Sequence, residues 1–312
     1  CMGVYALALQ TVLSSLIKVV LLWIFAKWIP KEKFNKNSFI SLWKFGSRLL
    51  GANLIGTAFN QIYSIIIGKF IGKKELGYFS KANGLCSNVD GITTGIVQRV
   101  ALPVLAKYQE DERQLTEKFR EIMRLLVMLI APMTSFLCFA SDDIIVLLWT
   151  EKWLDCSLLF KILIVGIMFG PVGQLSLSLM QALGKTGMVL KLEFPKKFVY
   201  CICLSIGFHY GVVGLAIAQV FINIIGSLIN VWATRKILPY SYVLQLKDIS
   251  IYILIAFAIG WCVSWLACFA SQIVNITILL FLTIFFYSLV LFMIKDSVFK
   301  RNIKNIYSLW PF

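Results

Sequence analysis

The chain of 312 residues is 59% apolar and 14% charged, with a mean hydropathy of +0.84. Water-soluble domains hold about 45–50% apolar and about 25% charged residues, so an ordinary soluble enzyme or binding module is excluded and much of this surface must meet lipid. Thirty Lys and Arg against fifteen Asp and Glu leave a net charge of +15, which on a lipid-facing chain reads as membrane topology rather than as a nucleic-acid footprint. No nucleic-acid partner is expected.

A membrane helix needs about 20 mainly apolar residues. In chain order nine stretches qualify: 2 to 26, 45 to 68, 78 to 104, 122 to 141, 158 to 183, 194 to 210, 212 to 234, 249 to 270 and 273 to 294. They leave no room for a soluble catalytic domain, and runs such as 251 to 259 lack the alternation of a barrel strand. The expected fold class is an all-α polytopic membrane protein of about nine transmembrane helices.

Cytoplasmic connections keep Lys and Arg whereas translocated ones lose them. Segments 27 to 48, 99 to 124, 185 to 197, 235 to 247 and 295 to 304 hold 23 cations, and the alternate connections hold 6, four of them in 69 to 81. The basic set and the C-terminus are therefore expected on the cytoplasmic side, with 69 to 81 the loop that fits least well. An odd number of spans puts residue 1 outside. With no initiator methionine and no signal peptide, the chain reads as the C-terminal portion of a longer membrane protein.

Polar side chains within spans fall on single helical faces. The second span carries Asn53, Thr57, Asn60 and Ser64; the third Asn83, Ser87, Asp90, Thr94 and Gln98; the fifth Gln174, Ser178, Gln181 and Lys185; the seventh Gln219, Asn223, Ser227 and Asn230. Each stripe on its own is explained by interhelical hydrogen bonding, and four together predict a polar cavity. The last two spans are apolar all round and are expected at the periphery.

Asp90 is the one acid well inside a span. It reads either as a proton- or cation-coupling group or as a partner of Ser87 or an amide of the second span. Arg48, Arg99 and Lys185 share a level near the cytoplasmic mouth, where they serve as snorkelling anchors or as a diphosphate-binding ring. Lys18 snorkels or faces the cavity. The charged run 109 to 120 reads as a solvated interfacial helix, and 30 to 44 as a basic, aromatic linker on an anionic leaflet. Pro103, Pro132, Pro171 and Pro195, with glycines at 166, 170, 173, 184 and 187, predict bent or broken helices of the kind transporters use. Eight cysteines without a CxxC pair and a single histidine give no metal site and no disulfide framework; the cysteines read as small core residues, and no cofactor is expected.

Several stretches carry a resemblance: WKFGSRLL (43 to 50), IIGKFIGKKELGYFSKA (66 to 82), RVALP (99 to 103), LWTEKW (148 to 153), YGVVGLA (210 to 216) and GVYAL (3 to 7). In order and spacing they resemble the O-antigen and exopolysaccharide flippases of the multidrug/oligosaccharidyl-lipid/polysaccharide (MOP) exporter superfamily. The resemblance implies two pseudo-symmetric six-helix lobes plus two terminal helices, of which this chain holds helices six to fourteen. Residues 1–29 then end a truncated N-terminal lobe, 30–44 link, 45–235 form a MATE-like six-helix C-lobe, and 236–312 supply two peripheral helices and a cytoplasmic tail.

It further implies flipping of undecaprenyl-diphosphate-linked oligosaccharide across the bacterial inner membrane by alternating access, with membrane lipid and polysaccharide polymerase or export proteins as partners. In that reading Arg48, Arg99 and Lys185 attract diphosphate. Asn53, Asn60, Gln98, Gln174, Gln181 and Asn223 bond sugar hydroxyls, and Asp90 couples ions. The competing readings are a drug/cation antiporter of the same superfamily, a membrane glycosyltransferase or polymerase using Asp142 and Asp143, and a non-transporting scaffold.

Overall fold

A computed structural model of the chain describes residues 3–26, 35–266 and 272–294, all helix and connecting turn with no strand among them. Two compact units divide between Lys44 and Phe45. In the first, α1 (Gly3–Ala26) exposes apolar side chains from Leu9 to Phe25, with Lys18 exposed among them. The helix α2 (Lys36–Ile66) crosses the division.

The second unit is a helical bundle. After α2 and a π-helical turn (Ile67–Ile71) come α3 (Lys73–Ile96), a second π turn (Val97–Ala101) and α4 (Leu102–Lys107). They are followed by α5 (Glu112–Phe139), α6 (Ser141–Trp149), α7 (Asp155–Ile167), α8 (Gly170–Ala182), α9 (Thr186–Phe208), α10 (Gly211–Thr234), α11 (Tyr242–Leu266) and α12 (Gln272–Met293). Among the described residues seven stretches are long and apolar enough to cross a membrane: Leu49–Ile71, Lys73–Lys107, Glu112–Phe139, Asp155–Ala182, Gly211–Thr234, Tyr242–Trp265 and Gln272–Met293. The two other expected spans correspond to α1, with its shorter apolar stretch Val12–Phe25, and to α9, which carries Lys191, Glu193, Lys196 and Lys197.

The fifth span is broken, as Pro171 and the neighbouring glycines lead one to expect: it is interrupted at Met168 and Phe169, because Pro171 cannot donate a helical hydrogen bond. A carbonyl at the break finds a partner on α10, where Ser227 Oγ donates to Phe169 O (2.8 Å), and in the first turn of α8 Asn230 Nδ2 donates to Gly173 O (3.3 Å). The charged run 109 to 120 is a turn followed, from Glu112, by the first turns of α5, rather than a separate interfacial helix. Asp111 caps it, accepting from the Gln114 backbone N–H (3.0 Å) and side-chain amide (2.7 Å), which hold its carboxyl below the usual carboxylate range. Of the cysteines, Cys86 and Cys156 are buried but Cys201 and Cys262 are exposed.

Three of the four ill-fitting cations of 69 to 81 have local partners. Lys81 Nζ stands 4.6 Å from the Trp149 ring centroid and 5.3 Å from that of Trp153; Lys74 lies over Tyr78 and 3.9 Å from Asp155; Lys69 lies over Phe70. Held by aromatic faces and an acid, these charges are cheaper to keep at this end of the bundle than free lysines.

The core has two main parts. One, around Tyr63, Ile67, Phe79, Phe160 and Ile164, joins α2, α3 and α7. The other, around Phe119, Met123, Leu175 and Tyr252, joins α5, α8 and α11. The helix α11 docks on α5 through polar contacts that hydropathy does not show. Arg120 forms a fork on Asp248 (2.6 and 3.2 Å), the Tyr240 hydroxyl donates to the same carboxylate (2.6 Å), and Ser135 Oγ donates to Ala256 O (2.8 Å). The Asp248 side chain is 11% exposed and that of Arg120 40%. Removing the guanidinium from a carboxylate this enclosed costs about 2 kcal/mol, discounted from the 3–5 of a fully buried pair for the solvent on Arg120. Arg120→Ala is therefore expected to lower the thermal midpoint in detergent and speed proteolysis between α10 and α11; an unchanged melting curve would show that apolar packing alone holds α11.

Candidate functional site

One face of the second unit opens into a cavity of about 480 Å³ lined from α2, α3, α7, α8, α9 and α10. Its walls are built by the polar stripes. From α3 come Asn83, Ser87, Asp90 and Thr94, and from α10 come Gln219, Asn223, Ser227 and Asn230. From α8 comes Gln174 and from α2 Ser64. Small residues let these walls close up. At Gly166 an added Cβ would lie 3.1 Å from the Val220 backbone, and at Gly173 2.9 Å from Ser227 Oγ, so α7 and α8 sit close on α10. Gly170, at the start of α8, would bring a Cβ within 3.2 Å of Asp90 Oδ1, and its lack of a side chain admits that carboxylate to the helix break.

The predicted site residues divide. Asp90, Gln174 and Asn223 line the cavity. Asn53 is exposed and Gln98 and Gln181 are half-buried, all three off its wall. Arg99, in the π turn after α3, and Lys185, just before α9, are exposed and also off it. The side chains of Arg48 and Asn60 lie outside the described residues.

Sequence reading placed a span at 194 to 210 but missed the charged wall that α9 gives the cavity. Residues 185 to 197, expected as a cytoplasmic loop, are helical from Thr186, and Glu193, Lys196, Lys197 and Tyr200 face the cavity. Their spacing of 3, 1 and 3 is one helical face, the signal that found the other stripes. The opposite face, Phe194, Phe198, Ile202 and Ile206, is exposed. The helix thus turns charge inward and apolar side chains outward, as a helix between lipid and a wet interior must. Pro195 removes one backbone donor in its middle.

The charges form a triad. Lys196 donates to Glu193 Oε1, and Lys197 Nζ lies 3.6 Å from Glu193 Oε2. Lys197 also stands over the rings of Phe59 (5.2 Å) and Tyr200 (5.7 Å). The Tyr200 hydroxyl donates to Phe59 O (2.5 Å), and Tyr63 packs edge-on against Tyr200 (5.4 Å). An aromatic wall between α2 and α9 therefore fixes the ammonium that borders the cavity. Among the described residues no group of three His, Cys, Asp or Glu could hold a metal ion.

The acids of the glycosyltransferase reading lie elsewhere. Asp142 accepts from the Ser157 hydroxyl and from Lys161 Nζ (2.6 Å). Burial alone would raise its pKa; the ammonium and hydroxyl outweigh that and hold the carboxyl below its usual range, so it stays ionised and joins α6 to α7. A carboxylate so engaged is poorly suited to give up a proton as a general acid.

Bundle and cavity together define a polytopic α-helical membrane protein with a polar, charged interior pocket. The family described as polysaccharide biosynthesis protein matches residues 1–158, and the chain belongs to that family. It is 26% identical over 266 residues to the teichuronic acid biosynthesis protein TuaB of Bacillus subtilis, covering 83% of this chain and 54% of that protein. It is 25% identical over 230 residues to the amylovoran biosynthesis protein AmsL of Erwinia amylovora, covering 72% and 59%. With the lipopolysaccharide biosynthesis protein WzxC of Escherichia coli it shares 22% over 233 residues, covering 73% and 47%. The chain thus spans about half the length of the curated relatives it matches. Among solved structures it shares the fold of the lipid II flippase MurJ in an inward closed conformation, with a TM-score of 0.65, 18% identity, and coverage of 89% of this chain and 60% of that one.

Proposed function

We propose that the chain forms the C-terminal lobe of a flippase that carries undecaprenyl-diphosphate-linked oligosaccharide across the bacterial inner membrane by alternating access, with its C-terminus cytoplasmic and polysaccharide polymerase or export proteins as partners. The observation that carries this reading is a cavity with two lysines and a row of amides on its walls, in a helical bundle whose outer surface is apolar. Ammonium groups suit a diphosphate, and amides suit sugar hydroxyls. A drug or cation antiporter fits less well, because, of the two acids on the wall, Glu193 is engaged by Lys196 and Lys197, which leaves Asp90 alone to hold a cationic cargo. The names of the relatives, all in polysaccharide biosynthesis, and of the structural neighbour, a lipid II flippase, support the same cargo class.

In this reading Lys196 and Lys197 take the diphosphate, and Gln174, Asn223 and the neighbouring stripe take the glycan. Arg99 and Lys185, exposed and off the wall, act as interfacial anchors. Asp90, beside the break between α7 and α8, couples ions to rearrangement of that break. Proteoliposomes loaded with fluorescent undecaprenyl-diphosphate oligosaccharide test the function by the rate at which label reaches the opposite leaflet. Asp90→Asn is expected to insert normally and to slow transfer by about tenfold or more, the equivalent of a lost interaction of ~1.4 kcal/mol; wild-type transfer would remove Asp90 from the coupling.

A further inference from the structure

The charges on α9 are unequal, since one carboxylate serves two ammonium groups. Glu193 turns one oxygen to Lys196 and the other to Lys197, and the three side chains are only 12, 13 and 19% exposed. All three stand on a single helix at i, i+3 and i+4, so the arrangement can be undone by side-chain rotation without moving a helix. Lys197 keeps its place by other means, on the faces of Phe59 and Tyr200. The stem of Lys196 passes over Gly226, where an added Cβ would lie 3.7 Å from Lys196 Cδ.

Two ammonium groups this enclosed repel one another and are poorly hydrated, so an empty cavity needs an anion beside them. The carboxylate supplies two oxygens spread over two cations, which is also what a phosphate group offers. We infer that Glu193 is the resident counter-ion of this seat: it neutralises Lys196 and Lys197 while the cavity is empty, is displaced by an incoming diphosphate, and returns to expel it. The inference rests on the reading of the cavity as a diphosphate-lipid site. Glu193 is then a positioning residue that lowers affinity so that cargo can leave, as any conducting site requires of its ligands.

The test is equilibrium binding of geranylgeranyl diphosphate to the full chain in nanodiscs, with inorganic diphosphate as competitor. Glu193→Gln is expected to bind about tenfold more tightly, since a competing charge-assisted bond is removed, and to transfer cargo more slowly in proteoliposomes. A merely structural residue would weaken binding instead. Lys196→Gln alone should weaken binding, and Glu193→Gln combined with Lys196→Gln, which keeps the charge balance if the single variant fails to fold, should return it toward wild type.

Unchanged or weaker binding by Glu193→Gln, or a double variant as weak as Lys196→Gln, overturns the counter-ion role. If instead Lys196→Gln/Lys197→Gln binds like wild type, the diphosphate seat itself is wrong. Inorganic diphosphate competing as strongly as the lipid would uphold the counter-ion and overturn the lipid as its ligand.

Discussion

Replacing Lys196 and Lys197 together by glutamine is expected to weaken binding of a diphosphate-linked polyprenol by a factor of roughly 10² or more. Each ammonium offers a charge-assisted hydrogen bond worth about 1.5–3 kcal/mol net, and two such losses give about 3–6 kcal/mol. Glu193 would remain, 12% exposed, as an uncompensated carboxylate facing the incoming anion, and this adds to the loss. The paired control is Arg99→Gln with Lys185→Gln. Both side chains are exposed and off the cavity wall, so binding should stay within about threefold of wild type, as for exposed charges in general. Titration of the lipid into both variants in nanodiscs decides the matter. A larger loss from the Arg99 and Lys185 pair would return the diphosphate to the ring expected from sequence.

The second large effect belongs to the crossing of α9 and α10. A Cβ on Gly207 would lie 2.7 Å from Gly214 O and 2.8 Å from Ala218 Cβ, and one on Gly214 would lie 2.5 Å from Gly207 O and 2.4 Å from Tyr210 Cβ. These contacts are to backbone oxygens and to Cβ atoms, whose positions the backbone fixes, so no rotamer change relieves them. The turn between the helices adds a further demand, since Gly211 has φ +69°, a region costly for residues with a Cβ. Gly207→Val is therefore expected to cost about 3 kcal/mol, at the upper end of overpacking effects, and to abolish transfer. The reason is positional: α9 carries the charged triad and α10 the amide stripe, so prising them apart dismantles the cavity. Gly226→Ala is the contrast. Its Cβ would meet Lys196 Cδ at an ordinary 3.7 Å, and stability should change by less than about 1 kcal/mol. Thermal unfolding followed by light scattering would compare the two, and equal midpoints would refute the close-crossing account.

Helix α9 also shows where sequence reading stops. A hydropathy window averages over both faces of a helix, so Lys191, Glu193, Lys196 and Lys197 lower its mean and resemble a loop. What made Asn83 to Thr94 and Gln219 to Asn230 legible was spacing, and the same spacing was present from Glu193 to Tyr200. The stripe is masked because Lys191, Lys196 and Lys197 read equally well as cytoplasmic topology signals. The Arg120 and Asp248 contact escaped for another reason. Its partners are 128 positions apart, and nothing local distinguishes them from other interfacial charges.

By itself the sequence determined that the chain is helical and lipid-facing, roughly where most spans run, and that polar stripes on α3 and α10 face an interior. These follow from composition and helical period, which act residue by residue along one helix. Which stripes share a cavity, and which cations reach it, was decided only in three dimensions. Helix rotation and axial offset are set by close approach at Gly166, Gly173, Gly207 and Gly214 and by the break before Pro171. Those contacts bring Lys196 and Lys197 to the wall and leave Arg99 and Lys185 outside it, because packing between helices, and not the order of residues within one, fixes what each face meets.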